Sequence, residues 1–235
     1  EFVLHFQPVV RLEDAAVVGA EALVRWQHPV RGLVGPVEFI EVAEATGLIV
    51  PIGTLVLRKA LATLRLWLDG AMVDPMQFRL NVNLSTRQLE QPGFVEELAV
   101  VLDEFDIDAE LLTLEVTETS LLSSDEAVLS RLEGVREVGA RLAIDDFGSG
   151  YAGFEYLKRG LFDVVKLDRS LIVAASERQD WAVARQLWHE LACALPQNRH
   201  YRAQLAFARA GELLAGGDVQ RAREVVEGAE GGVGL

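Results

Sequence analysis

Acidic and amide side chains recur at alternate positions in several otherwise apolar segments of the chain. Glu21, Asn83 and Glu115 each lie between aliphatic neighbours, and the pair Asp145 and Asp146 ends another such segment. Alternation of this kind is typical of β-strands, in which successive side chains point to opposite faces of a sheet. Carboxylate and amide oxygens are the ligands that Mg²⁺ and Mn²⁺ prefer, whereas carboxylates gathered without a cation repel one another. If these strands meet in one sheet, the pattern favours a divalent metal site.

Such a site would suit the hydrolysis of a phosphodiester. Two divalent ions about 4 Å apart can bind both the attacking and the leaving oxygen, and they can generate hydroxide from water. Lys166 alternates with Val165 and Leu167 in a further strand-like segment and is one of three lysines beside nineteen arginines. A compact ammonium group can orient a water molecule, or shift its pKa when buried, more readily than a guanidinium can. The contrast favours a chemical role for Lys166.

Each of these residues also has a purely structural interpretation. A single acidic residue on a strand commonly faces solvent or caps a neighbouring helix. The segment 145–150, Asp-Asp-Phe-Gly-Ser-Gly, can form a turn whose carboxylates cap the next helix, and Glu118 can likewise cap a helix or join a salt bridge. The convergence of several strands is what favours a metal site over these alternatives.

The charge balance excludes one broad class of partner. The 235 residues include 36 acidic and 22 basic side chains, a formal net charge of −14. No basic surface is therefore expected that could neutralise a nucleic-acid polymer. A small phosphorylated ligand is still allowed, because carboxylates that bind divalent cations invert the local charge.

Cysteine content and apolar runs bear on the compartment. The lone Cys193 excludes an internal disulfide and favours a reducing, cytoplasmic environment. No apolar run approaches the roughly 20 residues of a membrane helix, which predicts no membrane segment in this chain. The first residue is Glu1 rather than Met, which predicts a fragment or a processed chain.

Strand-like and helix-like segments alternate along the first three quarters of the chain. Predicted strands span 3–10, 17–26, 78–84, 111–117, 141–145 and 162–167. Helix patterns separate them: one over 36–46 ended by Gly47, one capped by Thr54 and ended by Gly70, one over 92–105, and one with a capping box at Ser123 and Glu126. A short helix is expected after the glycine-containing turn at 148–150.

Strands that alternate with helices predict an α/β fold with a parallel sheet, either open and doubly wound or closed as a barrel. Several of the predicted strands carry polar residues near their C-terminal ends, where barrels place their sites. We therefore favour a (β/α) barrel with about six strands.

The composition changes near residue 176. Residues 1–175 carry 28 acidic and 15 basic side chains, whereas 176–235 carry 8 and 7. In the second region Asp180 and Arg185 recur as Asp218 and Arg223 at an offset of 38 residues, and helices are predicted over 178–195, 199–215 and 218–229. The pattern resembles about one and a half tetratricopeptide repeats, which predicts an all-α tail that docks on the first domain or on a protein partner.

Six short motifs follow one another in the first 173 residues. They are Phe-Gln-Pro-Val-Val at 6–10, Gly-Ala-Glu-Ala-Leu-Val-Arg-Trp at 19–26, Asn-Leu-Ser at 83–85, Leu-Glu-Val-Thr-Glu at 114–118, Asp-Asp-Phe-Gly-Ser-Gly at 145–150 and Lys-Leu-Asp-Arg-Ser at 166–170. In type and order they resemble the EAL family, the bacterial cyclic di-GMP phosphodiesterases.

The resemblance implies a TIM-type barrel whose first strand runs antiparallel, and a two-metal Mg²⁺ or Mn²⁺ site that opens the second messenger cyclic di-GMP to the linear dinucleotide. The metal ligands it implies are Glu21, Asn83, Glu115, Asp145 and Asp146. Lys166 would hold the catalytic water and Glu118 would stabilise the loop after Asp146. The implied substrate contacts are Gln7, Leu23 and Arg25, with Arg25 facing a phosphate.

The chain departs from the family at its C-terminal end. The family continues with two further strands that carry a Glu-Gly-Val-Glu motif and a Gln-Gly motif, and neither motif follows residue 176. We therefore predict an incomplete EAL-like barrel over 1–175 that lacks its last two strands, followed by the helical tail over 176–235. Six strands do not close an eight-stranded barrel, so an open edge is expected for the tail to cover.

Three functional hypotheses stay open from the sequence, ranked ahead of a different metal-using barrel enzyme with a lysine base that acts on a carboxylate substrate. The first is a metal-dependent cyclic di-GMP phosphodiesterase, impaired by loss of the C-terminal motifs. The second is a catalytically inactive regulatory module that binds cyclic di-GMP or a protein. The third is a truncated or fused product without independent function. A homodimer is compatible with each of them.

Overall fold

The computed structural model describes residues 1–11, 14, 16–122, 126–147, 157 and 159–167. The strands in this part of the chain are β1 (Phe2–Val10), β2 (Val17–His28), β3 (Gly32–Val34), β4 (Arg79–Asn83), β5 (Leu112–Thr117), β6 (Arg141–Phe147) and β7 (Val164–Leu167). The helices are α1 (Ile40–Thr46), α2 (Ile49–Asp69), α3 (Thr86–Leu89), α4 (Phe94–Glu104), α5 (Glu118–Leu122) and α6 (Glu126–Val138), with 3₁₀ turns at Pro36–Glu38 and Ala109–Leu111. The six predicted strands are all present, and the α/β class is confirmed.

The strands form one mostly parallel sheet. Their order is β1-β2-β4-β5-β6-β7, and β3 pairs with the end of β2. β1 runs antiparallel to β2, whereas β2, β4, β5 and β6 are mutually parallel. The antiparallel first strand is therefore confirmed. β3 was not predicted: it is a three-residue strand that forms a small hairpin with residues 26–28 of β2, too short to give an alternating pattern.

Apart from a register shift at the end of β1, where Val10 pairs with Val17, the strand register assigns the odd-numbered residues of β1, β2, β4, β5 and β6 to one face of the sheet, since each of them pairs with an odd-numbered residue of the next strand. The even-numbered face of the parallel strands is almost completely buried: Ala20, Ala22, Leu80, Val82, Leu112, Leu114, Val116, Leu142 and Ile144 are each 5% exposed or less. The odd-numbered face carries four of the predicted ligands, Glu21, Asn83, Glu115 and Asp145, whereas Asp146 is even-numbered and exposed. The sequence alternation thus corresponds to an apolar and a polar face of one sheet.

Helix α2 covers part of the apolar face and contacts β1, β2 and β4. Its Trp67 packs edge-on against Phe6 and Phe78, with ring centroids 4.8 and 5.8 Å apart. Gly70 ends the helix as predicted, but Thr54 lies inside it and does not cap it, because the helix begins at Ile49. The sequence suggested a later start, yet Pro51 is tolerated in the first helical turn, where its missing N–H would have no partner.

Close approach of β2 and β4 depends on Gly19. A Cβ atom at this position would lie 2.5 Å from the carbonyl oxygen of Arg79 on β4, so a larger residue would push the two strands apart. Glycine lets the backbones meet where the parallel pairing begins, at Gly19 and Arg79. The relative position of Glu21, two residues further along β2, follows from this contact.

The chain divides into two compact units. One comprises 1–145 and 161–165, and the other comprises 146–160 and 166–235. None of the helices described is long and apolar enough to cross a membrane. The predicted turn at 148–150, the capping residue Ser123 and the tail helices over 178–195, 199–215 and 218–229 lie outside the described residues. The tetratricopeptide-like tail and the boundary near 176 therefore stay predictions.

Candidate functional site

The polar face of the sheet carries the predicted metal ligands in a stepped arrangement. Glu21 on β2 pairs with Asn81 on β4. Two residues further along β4, Asn83 pairs with Glu115 on β5, and two residues beyond Glu115, Thr117 pairs with Asp145 on β6. In the register, the candidate ligand of β4 lies two residues beyond that of β2, that of β5 lies level with that of β4, and that of β6 lies two residues further on. Four predicted ligands from four strands therefore share one face.

Two amide–carboxylate hydrogen bonds link these residues across the strands. Asn81 Nδ2 donates to Glu115 Oε1 at 2.7 Å, and Asn83 Nδ2 donates to Glu21 Oε1 at 2.9 Å. In the backbone register, Asn81 pairs with Glu21 and Asn83 pairs with Glu115. The side-chain bonds are crossed, because each amide bonds to the carboxylate that is the register partner of the other amide. Each bond uses one oxygen of its carboxylate.

The donor set fits a hard divalent cation, because it offers carboxylate and amide oxygens on one face. Within the residues described, however, no three His, Cys, Asp or Glu side chains lie close enough together to hold a metal ion. The amides stand between the acids: Asn81 and Asn83 separate Glu21 on β2 from Glu115 on β5. The face therefore presents hydrogen-bonded pairs rather than a bare carboxylate cluster, and the five-residue ligand set stays a prediction.

Burial differs sharply among the candidate ligands. Glu115 is 1% exposed in the middle of a strand whose other residues are also buried, apart from the half-buried Thr117. Glu21 and Asp145 are half-buried, and Asn83 is exposed. A buried carboxylate is costly unless hydrogen bonds or opposite charges compensate it. The hydrogen bond from Asn81 is one such compensation for Glu115.

The loop that follows Asn83 is held by several polar contacts. The Leu84 N–H donates to the carbonyl oxygen of Glu115 at 2.8 Å. Ser85 caps α3 in a capping box with Gln88, and the Ser85 hydroxyl donates to Glu44 Oε1 at 3.0 Å. Gln88 is buried and lies directly against Gly53 of α2, where a methyl group would overlap its side-chain amide. Helices α1, α2 and α3 therefore jointly fix the end of β4.

Gln7, Leu23 and Arg25 lie on the same polar face. Gln7 is exposed and pairs with Glu21 across the antiparallel strands, while Leu23 pairs with His5. Arg25 is half-buried, and its Nη1 donates to the carbonyl oxygen of Val24 at 2.8 Å. These three predicted substrate contacts therefore flank the candidate ligand Glu21, and their contact with substrate stays a prediction.

Comparison with known proteins identifies the family of the chain. Residues 1–192 match the family described as EAL domain. The chain belongs to the EAL domain family. The bifunctional diguanylate cyclase/cyclic di-GMP phosphodiesterase MucR of Pseudomonas aeruginosa is 41% identical over 172 residues, which are 73% of this chain and 25% of that protein. The cyclic di-GMP phosphodiesterase NbdA of the same organism is 39% identical over 226 residues, which are 91% of this chain and 28% of that protein.

A solved structure of a similar protein has a similar fold. The PaMucR phosphodiesterase in its c-di-GMP complex superposes with a TM-score of 0.72 at 36% identity, covering 82% of this chain and 77% of that one. This EAL chain spans between a fifth and about half of the length of the curated relatives it matches. The alignment with NbdA covers 91% of the chain and so extends beyond residue 175.

The remaining predicted site residues, Asp146, Lys166 and Glu118, lie on β6, on β7 and at the start of α5. Asp146 follows Asp145 on β6, is exposed, and adopts a left-handed backbone conformation with φ of 52°. Lys166 is half-buried on β7. Asp146 and Lys166 both belong to the second compact unit. Glu118 is 1% exposed and begins α5 directly after β5; the loop it was expected to stabilise lies largely outside the described residues.

Sequence analysis gave Asn81 no role in the candidate site. Its spacing of two from Asn83 was the available signal, although alternation alone does not show which carboxylate an amide reaches. Glu44 and Gln88 were missed altogether. The Ser85-x-x-Gln88 capping box is readable from the sequence, whereas the bond between Ser85 and Glu44 joins residues 41 apart and has no local pattern.

Proposed function

We propose that this EAL chain is a metal-dependent phosphodiesterase that opens cyclic di-GMP to the linear dinucleotide. What supports the proposal is that Glu21, Asn83 and Glu115 lie on one face of three adjacent strands and carry oxygen ligands. Hydrogen bonds from Asn83 to Glu21 and from Asn81 to Glu115 link these strands. Family relatives supply the substrate: MucR and NbdA are described as acting on cyclic di-GMP. EAL domains generally depend on divalent metal ions.

Hydrolysis of a phosphodiester joins a water oxygen to phosphorus and breaks one phosphorus–oxygen ester bond. The water loses one proton and the released ribose hydroxyl gains one. Divalent cations, when bound, stabilise the charge that builds up on the phosphate and make water a better nucleophile. In our proposal the residues that hold them are Glu21, Asn83, Glu115, Asp145 and Asp146.

The remaining predicted residues would bind the nucleotide and orient the water. Arg25 offers a guanidinium for a phosphate of cyclic di-GMP, which requires it to exchange its present bond with the Val24 carbonyl. Gln7 and Leu23 would contact the dinucleotide beside it. Lys166 would donate an N–H to the attacking water, and Glu118 would stabilise the loop after Asp146.

A second function is favoured by one observation in the sequence. The Glu-Gly-Val-Glu and Gln-Gly motifs of the family do not follow residue 176, and the first of them supplies a further acidic group in the family pattern. A chain without that group could bind cyclic di-GMP and not hydrolyse it. The chain would then act as a regulatory module through a protein partner or through a homodimer.

The test separates turnover from binding. The purified chain, in molar excess, is incubated with cyclic di-GMP and Mn²⁺, and the nucleotide is chromatographed over several hours. We expect linear dinucleotide from the wild type and from Glu97→Ala, a matched control on the exposed side of α4. Glu21→Ala should give no product, because it removes a ligand of the proposed site.

Calorimetric titration with cyclic di-GMP, with and without EDTA, gives the second measurement. Intact cyclic di-GMP together with micromolar binding would reject the phosphodiesterase proposal in favour of the binding module. Equal product from Glu21→Ala and wild type would show that hydrolysis does not use the polar face, and would contradict the proposal.

A further inference from the structure

Strand β1 lies at one end of the strand order, and its outer edge pairs with no strand in the part of the chain that the structure describes. The bonds to β2 fix which backbone groups point to that edge. Glu1 and Gln27 exchange both backbone bonds, at 3.0 Å from the amine of Glu1 and 2.8 Å from the Gln27 N–H. Such pairs alternate along antiparallel strands. The odd-numbered residues of β1 therefore bond to β2, and the even-numbered residues from Phe2 to Pro8 direct their backbone groups outward.

The outward groups differ in what already occupies them. Pro8 has no N–H, as is typical of an edge strand. The Phe2 carbonyl oxygen accepts a hydrogen bond from Lys59 Nζ at 3.0 Å. Among the residues described, no other hydrogen bond reaches this edge. The edge thus offers the N–H groups of Phe2, Leu4 and Phe6 and the carbonyl oxygens of Leu4, Phe6 and Pro8. An open row of this kind is a template for another strand.

The outward groups match those of a second copy of the same edge. Antiparallel pairing can place Phe2 of one copy opposite Pro8 of the second copy, and Leu4 opposite Phe6. Each outward N–H then meets a carbonyl oxygen, so the partial charges of the two edges are complementary. Pro8 leaves only the Phe2 carbonyl without a donor from the other copy, and Lys59 of the same chain already supplies one. A shift that places Pro8 opposite Leu4 would leave the Leu4 carbonyl without a donor.

We infer that the chain forms a symmetric dimer by antiparallel pairing of the outer edges of β1, with the two-fold axis at His5. His5 and Pro8 are exposed, and Leu4 is half-buried. One strand pair buries less surface than the roughly 1,600 Å² of a standard protein interface, so we expect a weak dimer that forms at micromolar or higher concentration. The inference is independent of the phosphodiesterase proposal, because it uses backbone groups of β1 alone.

Cysteine cross-linking of the full chain tests the position of the axis. In a Cys193→Ser background, His5→Cys should form an intermolecular disulfide on oxidation. The reason is that facing residues of a non-hydrogen-bonded antiparallel pair have Cα atoms about 4.5 Å apart, within disulfide range. Val3→Cys is the matched control. Its two copies would lie four residues out of register, about 13 Å apart, and should not cross-link. Equal cross-linking of both variants, or none of His5→Cys, would overturn the inference.

Analytical ultracentrifugation measures what the outward N–H contributes. Leu4→Pro removes this group and no bond to β2, and by symmetry it removes two hydrogen bonds from each dimer. We expect the dimer dissociation constant to rise about tenfold or more. Leu4→Ala loses the same side chain but keeps the N–H, and should stay within about twofold of the wild type. Circular dichroism and urea unfolding check that both variants fold. Equal dissociation constants for the two variants, or a wild type that is monomeric at about 1 mM, would contradict the dimer.

A double-mutant cycle between Pro8 and Lys59 tests the register. Lys59→Met leaves the Phe2 carbonyl without a donor in the dimer and should weaken dimerisation about tenfold. Adding Pro8→Ala supplies an N–H from the other copy, which should restore most of the affinity. Pro8→Ala alone should change the affinity less than about twofold, because Lys59 already occupies that carbonyl. Within one chain Phe2 and Pro8 lie about 20 Å apart along the strand, so coupling must arise between copies. Additive effects would overturn the proposed pairing.

Discussion

The two faces of the parallel sheet differ in what their side chains do, although they alternate along the same strands. On the even-numbered face, Leu114 and its neighbours are almost fully buried against the helices. On the odd-numbered face, Glu115 is equally buried, yet it is a carboxylate held by an amide from the next strand. Burial alone therefore does not distinguish a core position from a site position. Core and site positions differ in whether their buried side-chain atoms can bind a cation.

The strongest test of this comparison is Glu115→Gln. We expect turnover of cyclic di-GMP to fall about a thousandfold, since charge stabilisation at a metal site contributes several kcal/mol and each 1.36 kcal/mol corresponds to about tenfold. The free energy of unfolding should change by less than about 1 kcal/mol, because the Gln carbonyl still accepts from Asn81 and a buried charge is removed. Single-turnover kinetics and urea unfolding measure the two effects. A large loss of stability would make Glu115 a structural residue.

Leu114→Ala, one residue away on the opposite face, should show the reverse. Truncating a fully buried leucine costs about 2–5 kcal/mol of unfolding free energy. Turnover per folded molecule should be unchanged when it is measured well below the new Tm. Urea unfolding and a kinetic assay normalised to the folded fraction check this. Loss of turnover in the folded fraction would mean that the two faces are not separable.

Gly53→Ala tests the packing of the helices that fix the end of β4. Alanine normally stabilises a helix over glycine by about 0.5–1 kcal/mol, but here the methyl group would displace Gln88 from its capping box with Ser85. We expect a net loss of about 1–2 kcal/mol in urea unfolding. In a Gln88→Ala background the same substitution should become stabilising. Stabilisation in the wild-type background would contradict the packing of Gln88 against Gly53.

At Asp146 a small difference in stability between two variants tests the backbone conformation. Its φ of 52° disfavours a residue with a Cβ by about 1 kcal/mol, whereas glycine adopts this conformation freely. Asp146→Gly should therefore be more stable to urea than Asp146→Ala by about that amount. Both variants should lose turnover, because both remove the carboxylate. Equal stability of the two variants would argue against the left-handed conformation.

Local alternation predicted the six main strands and assigned Glu21, Asn83 and Glu115 to polar faces. It did so because burial on one side of a strand leaves a two-residue period in the sequence. The start of α2 at Ile49 and the short β3 were not predicted, since Thr54 resembles a cap and a three-residue strand has no period. The crossed bonds of Asn81 and Asn83 depend on the register between strands far apart in sequence, which no local pattern encodes.

Local sequence patterns gave less support to the choice of a barrel over an open sheet. Gly148, Gly150 and Gly153 follow β6 with the Gly-x-Gly-x-x-Gly spacing that also occurs in dinucleotide-binding sheets. Glycine spacing therefore does not separate the two folds here. Membership of the EAL family favours the barrel instead. The resemblance to that family rests on several motifs in a fixed order along the chain, and not on one glycine spacing.

Hydrolysis in H₂¹⁸O tests the central claim most directly. The chain is mixed in excess with cyclic di-GMP and Mn²⁺ in ¹⁸O-labelled water, and the nucleotide is analysed by mass spectrometry after one turnover. The account predicts a linear dinucleotide that carries one ¹⁸O atom on its new terminal phosphate, formed by the wild type and not by Glu115→Gln. Cyclic di-GMP recovered unlabelled and intact from a chain that binds it would contradict the account.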